Sequence, residues 1–233
     1  MSGILSAKSF DGGAVIVLTD GALYDRDGVL LGVQRKVAVS DRLPLAVAFR
    51  GNVAFGETVS QRIILSAEAI GFDRMLLDLD AALPGMPESP NLEILIAGVS
   101  ESAGPVHRMF QNRPVEFGCA PSTLIDPGPM HWGFGTNGEA ISLQAMGIAP
   151  PRKGETMQAW LARHAVAIFE NFRRIKVAVD PFDDNTDRQH LIGGVLDMTV
   201  VSPSGVTITQ LHRWPDKVGM KIDPLSHNVR RAA

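Results

Sequence analysis

Ala14-Val15-Ile16-Val17-Leu18, set between Gly12-Gly13 and Thr19-Asp20-Gly21, is the stretch from which the fold reads outward. An unbroken, mostly β-branched run of this length, closed at each end by turn formers, predicts a strand buried on both faces. Asp25-Arg26-Asp27-Gly28 follows as a turn, because the Asp-Gly pair supplies the positive φ that a tight hairpin needs. A second strand is expected from Val29-Leu30-Leu31 through Lys36-Val37-Ala38-Val39, and a third over Leu45-Ala46-Val47-Ala48-Phe49, ending at Gly51. Three strands with short connections form an antiparallel meander.

The period then changes. Phe55, Val59, Ile63, Ser66 and Ile70 recur every three or four residues, a helix face with Asn52 placed to cap it and Gly71 to end it. A second helix is expected over 72–83, with Met75, Leu76, Leu79 and Leu83 on one side, before Pro84-Gly85. Strands return at 92–99, 106–110 and 130–134, and a short helix is expected over 139–146. Residues 155–176 form the clearest helix. Met157, Trp160, Leu161, Ala165, Ile168, Phe169 and Phe172 make its apolar face, and Arg173, Arg174 and Lys176 sit where the helix dipole favours cations. A final hairpin spans 195–201 and 206–211. Segregated blocks of strands and helices indicate α+β. The expected architecture is a four-layer αββα sandwich of two antiparallel sheets between helix pairs. It is read as a single domain over 1–213, with a polar tail over 214–233.

The composition narrows the function classes. The chain has 233 residues, 45% hydrophobic and 20% charged, an ordinary globular balance that can hold a full core. A net charge of −3 argues against a partner built of nucleic acid. The one cysteine, Cys119, cannot close an internal disulfide, which fits a reducing, cytoplasmic setting. The first eight residues lack the basic and apolar regions of a signal peptide, and no apolar run has the length of a membrane helix.

Val17-Leu18-Thr19-Asp20-Gly21, Arg35-Lys36-Val37 and Ala48-Phe49-Arg50-Gly51, in this order, resemble the proteasome β-subunit-like branch of the N-terminal-nucleophile (Ntn) hydrolases. Lys36 follows Asp20 by 16 residues, the interval of that family, and Gly193-Gly194-Val195-Leu196-Asp197 resembles its late Gly-Gly strand. The order of the motifs covers the chain from about Ala14 to Leu211. Such enzymes attack with the side chain of their first residue, using its own α-amine as base. The resemblance implies Asp20 as the orienting carboxylate, Lys36 as the activating cation and Gly51 as the oxyanion donor.

The same resemblance puts Ile4 at the nucleophile's place, and isoleucine has no nucleophilic atom. Ser2 becomes a candidate once Met1 is removed, but it stands two residues earlier, a displacement of about 6–7 Å along a strand. Ser6 shares the facing of Ile4 but has no free amine. The leading expectation is therefore an assembly subunit with a degenerate nucleophile position, with little or no hydrolysis. The alternatives are an active amidohydrolase or peptidase using Ser2, and a binding module. A homo-oligomer, such as a ring, is the implied partner state, helped by the aromatic residues of helix 155–176. No cofactor is implied.

Other residue groups have plainer readings. Asp20 before Gly21 also suits a simple turn cap, and Lys36 could face solvent. The six histidines show no metal-ligand spacing. Cys119 reads as a small core residue, and Asp180, Asp183, Asp184 and Asp187 as a solvated loop. The glycine pairs lack the partners of a phosphate-binding loop.

Overall fold

The apolar run forms β2 (Val15–Asp20), which lies between β1 (Ile4–Lys8) and β12 (Val195–Ser202). With β9 (Met130–Gly133) and β13 (Gly205–Arg213) they make a five-stranded antiparallel sheet in the order β13-β12-β2-β1-β9. The computed structural model describes residues 3–113, 120–133, 142–180 and 187–225. Strand alternation divides this sheet into two buried faces. Leu5, Ala7, Ile16, Leu18, Leu196 and Met198 turn toward α3 (Met157–Arg173). Ile4, Val15, Val17 and Val201 turn toward the second sheet. Burial on both sides explains why the run carries no polar alternation.

The second sheet runs β5-β6-β7-β8, from β5 (Val37–Val39), β6 (Leu45–Gly51), β7 (Leu92–Ser100) and β8 (Gly104–Gln111). Ala46, Ala48, Leu95 and Ala97 meet the first sheet, and small side chains let the two sheets approach. Leu45, Val47, Phe49, Leu92, Ile94 and Ile96 pack on the other side against α1 (Val53–Ile70) and α2 (Phe72–Ala82). Asn52 caps α1, its side chain accepting from the Phe55 N–H at 3.0 Å. The buried face of α1 is Gly56, Val59, Ser60, Ile63, Ile64 and Ala67, rotated from the expected one, and Ile70 is exposed. The cause is Gly56, which lies on the Phe49 ring so closely that a Cβ would sit 2.3 Å from it.

The expected sandwich with a helix pair on each side is overturned. Strand exceeds helix, 36% against 24%, and the described residues hold three helices and four separate sheets. Among the described residues α3 stands without a helical partner. In the described part of the expected 139–146 helix the backbone makes turns, with Gly147 at φ +71° and Pro150-Pro151 following. The expected second strand is also two strands. β4 (Leu30–Val33) pairs with β3 (Ala22–Tyr24) in a two-stranded sheet, whereas β5 joins the second sheet; the fourth sheet is β10 (Val177–Ala178) with β11 (Arg188–Gln189). The segment expected as a polar tail from 214 contributes to the body through 222. Trp214 and Ile222 are buried, and the Leu30 N–H donates to the Met220 carbonyl.

Candidate active site

The break between β4 and β5 falls on Gln34, Arg35 and Lys36, and it places Lys36. The Gln34 N–H donates to the Gly21 carbonyl at 2.9 Å, pinning the break against the end of β2. That crossing requires a glycine. A Cβ on residue 21 would lie 2.5 Å from Val195 Cγ2 and 2.9 Å from the Gln34 carbonyl oxygen. Lys36 Nζ then reaches Asp20 at 3.2 Å from Oδ1 and 3.3 Å from Oδ2, with both side chains buried. Backbone donors complete the carboxylate. The Gly3 N–H bonds Oδ1 at 2.9 Å, and Gly193 and Ala22 bond Oδ2 at 3.1 and 3.2 Å. Burial pushes the Lys36 ammonium below its ordinary range, and the Asp20 charge opposes that fall. A desolvated ammonium held on a fixed carboxylate can stabilise a developing alkoxide or oxyanion beside it.

Register decides what stands next to this pair. β1 and β2 pair Ile4 with Thr19, so Gly3 comes opposite Asp20; the Asp20 N–H donates to the Gly3 carbonyl at 3.2 Å. The interval to Asp20 along the chain puts Ile4 at this place. Ile4 instead belongs to the apolar layer between the sheets and is fully buried. The residue joined to Gly3 on its amino side is Ser2, which lies outside the described residues. The β1–β2 register, not the interval to Asp20, sets which residue of β1 meets the carboxylate. Ser6 is committed elsewhere. Its hydroxyl bonds His107 Nδ1 at 2.9 Å, and His107 Nε2 bonds the Gly128 carbonyl at 2.6 Å.

Gly51 ends β6 at φ +111°, and a Cβ there would lie 2.2 Å from the Asn91 carbonyl oxygen. It is exposed and two residues beyond Phe49, whose N–H reaches the Lys36 carbonyl at 3.4 Å. Gly51 therefore stands at the Lys36 end of the second sheet.

Three further groups were not singled out from sequence. Arg50 and Glu93, opposite one another on β6 and β7, form a buried ion pair at 2.8 Å between the sheets. Gln111 donates to the same Glu93 oxygen at 3.0 Å, and His131 Nε2 lies 3.8 Å from the other. Burial pushes the Glu93 carboxyl up, but Arg50 and His131 outweigh it and hold it at about 2. Asp197, buried on β12, pairs with Arg35 at 3.5 Å beside the Lys36 break. Arg173, expected at a helix end where the dipole favours cations, is buried and pairs with Asp216. Alternation could have flagged Arg50, which shares the facing of Ala46 and Ala48; Asp216 offered no local signal.

Cys119, Asp183, Asp184 and His227 lie outside the described residues. Among the described residues no cluster of three or more His, Cys, Asp or Glu side chains could hold a metal ion, and no helix is long and apolar enough to cross a membrane. In comparison with known proteins, no family model matches this chain and no curated protein is detectably similar to it in sequence.

Proposed function

We propose that the chain is an amidohydrolase or peptidase of the N-terminal-nucleophile type, resembling the proteasome β-like branch, with Ser2 as its nucleophile. The observation that carries this reading is the hydrogen bond from the Gly3 N–H to Asp20 Oδ1, because it brings the residue after Ser2 onto the Asp20–Lys36 pair. Ile4, which has no nucleophilic atom, is a core residue rather than the neighbour of that pair. With Ser2 as the first residue, its α-amine takes the hydroxyl proton as Oγ bonds the substrate carbonyl carbon. Lys36 supports the developing negative charge, and Asp20 fixes Lys36. The amine then returns the proton to the leaving nitrogen as the C–N bond breaks, and water releases the acyl group from Oγ. Gly51 is the proposed oxyanion donor, a peptide or amide the substrate class, and no cofactor takes part.

A homo-oligomer and a cytoplasmic setting belong to the same proposal. Support for self-association comes from Leu65, Ile70 and Leu77, exposed on α1 and α2. The α3 aromatics give none, since Trp160, Phe169 and Phe172 are all buried. The test is labelling with a hydroxyl-directed electrophile, read by intact mass and peptide mapping on protein whose amino terminus has been determined. Stoichiometric modification at Ser2, absent in Ser2→Ala and slowed about tenfold or more in Lys36→Ala, is the expected result. A chain beginning at Ser2 that takes no label refutes the reading and returns the protein to the class of inactive assembly subunits.

A further inference from the structure

Arg173 and Asp216 lie on the far side of Gly193 from Asp20, and two consecutive peptide groups join them to it. In the peptide between Ile192 and Gly193, the carbonyl accepts from Arg173 Nη1 at 2.8 Å, and the N–H donates to Asp20 Oδ2 at 3.1 Å. In the next peptide, the Gly193 carbonyl accepts from the Gly21 N–H at 3.1 Å, and the Gly194 N–H donates to Asp216 Oδ2 at 2.8 Å. Arg173 closes the circuit by donating to both Asp216 oxygens, Nη1 to Oδ2 at 2.8 Å and Nη2 to Oδ1. The guanidinium also stacks over Trp214, 5.1 Å from the ring centre, and the Trp214 backbone N–H donates to the Gly194 carbonyl at 2.9 Å. No side chain fits in this circuit: a Cβ on residue 193 would lie 2.4 Å from Asp216 Oδ2 and 2.6 Å from Arg173 Nη1.

A peptide group is planar, so holding its oxygen fixes the direction of its N–H. A cation on the oxygen also polarises the group and strengthens the N–H as a donor. We propose that Arg173 and Asp216 are positioning residues for the Asp20–Lys36 pair, acting through the two peptides of Gly193. The role in hydrolysis rests on the function proposed above; the mechanical coupling to Lys36 does not.

The test uses the full chain and three variants: Arg173→Lys, Arg173→Met and Asp216→Asn. Ile168→Val, in the apolar face of α3, serves as a control for lost stability alone. Two readouts are followed: the pH profile of electrophile labelling at Ser2, and the side-chain titration of Lys36 by nitrogen NMR. Arg173→Met and Asp216→Asn are expected to slow labelling by about ten- to a hundredfold and to move the Lys36 titration, with partial recovery in Arg173→Lys. Ile168→Val should lower the melting temperature and move neither readout. Variants that lose stability yet keep the wild-type Lys36 titration overturn the proposal. If the wild type takes no label, the hydrolase reading falls alone, and the Lys36 titration still decides the coupling. Where the variants fail to fold, the wild type decides: the Gly193 amide should exchange slowly and shift in step with Lys36. An amide exchanging like an exposed glycine, or indifferent to that titration, overturns it.

Discussion

Replacing His107 by glutamine should remove much of the acid sensitivity of this protein. The imidazole is fully buried, accepting from the Ser6 hydroxyl on one nitrogen and donating to the Gly128 carbonyl from the other. Burial, aided by the nearby Lys8 and His131 and opposed by the Gly128 bond and Asp126, pushes it down from 6.5 to about 4. The unfolded chain therefore takes up this proton first. Stability from this group is complete above about pH 6.5, falls as pH drops, and levels off below about 4. At about 1.4 kcal/mol per pH unit the full loss is about 3 kcal/mol, with about 1.4 kcal/mol gone at pH 5.5 and about 2.5 kcal/mol at pH 4.5. Glutamine keeps an acceptor and a donor at the two ends but cannot titrate, so it should cost about 1 kcal/mol at pH 7 and abolish this slope. Urea unfolding of both proteins at pH 7, 5.5 and 4.5 measures the difference. At about 3 kcal/mol/M the wild-type midpoint should fall by about 0.8 M more than the variant's. His164 and His190 are also held low, but they titrate in both proteins and cancel in the comparison. Parallel pH dependences would refute the reasoning, because His107 would then be equally protonated in the folded and unfolded chains.

Glu93→Gln should destabilise the protein by about 3 kcal/mol at neutral pH, since Arg50 loses its buried counter-charge. Because the carboxyl is depressed from 4.5 to about 2, its contribution is present above about pH 4.5 and lost as pH falls toward 2, so the variant should lack that limb in an acid titration followed by circular dichroism. Gly51→Ala should cost about 2 kcal/mol or more, from the left-handed φ and the approach to the Asn91 carbonyl; a melting temperature equal to wild type would show that the turn relaxes freely.

The parts of this molecule legible in its sequence are those where local pattern and burial agree. The apolar face of α3 and the β2 run are read correctly because the residues that bury them need only be apolar, not particular. Asp20 and Lys36 are legible as a pair because a hairpin must return the chain near its start. The division of the expected second strand is not, because Gln34 leaves the strand for a bond to Gly21 that no periodicity announces. Arg173 shows the limit most plainly. On a helix end its charge suits the dipole, so the local reading is complete without a partner. Its burial is matched by Asp216, 43 residues later, and by the Ile192 carbonyl.

A short motif can be carried from one chain to another only where the structure between its parts keeps its length and register. The interval between Asp20 and Lys36 survives transfer because Asp20 lies on β2 and the break that carries Lys36 is pinned to the end of β2 through Gln34 and Gly21. The interval between Asp20 and the amino terminus does not, because a change in the length of the β1–β2 connection over residues 9–14 changes which residue of β1 meets Asp20. Here the Ser9 N–H bonds the Ala14 carbonyl and Gly12 takes φ +72°, so the connection is a built turn. Each residue added to such a turn moves the register by one and exchanges the faces of β1. Ile4 facing the apolar layer and Gly3 meeting the carboxylate are one consequence of that register, and neither can change without the other. A chemical role inferred from distance to Asp20 must therefore be counted across the ladder, from Thr19 to Ile4 and from Asp20 to Gly3, and on that count the residue beside the Asp20–Lys36 pair is preceded by a serine.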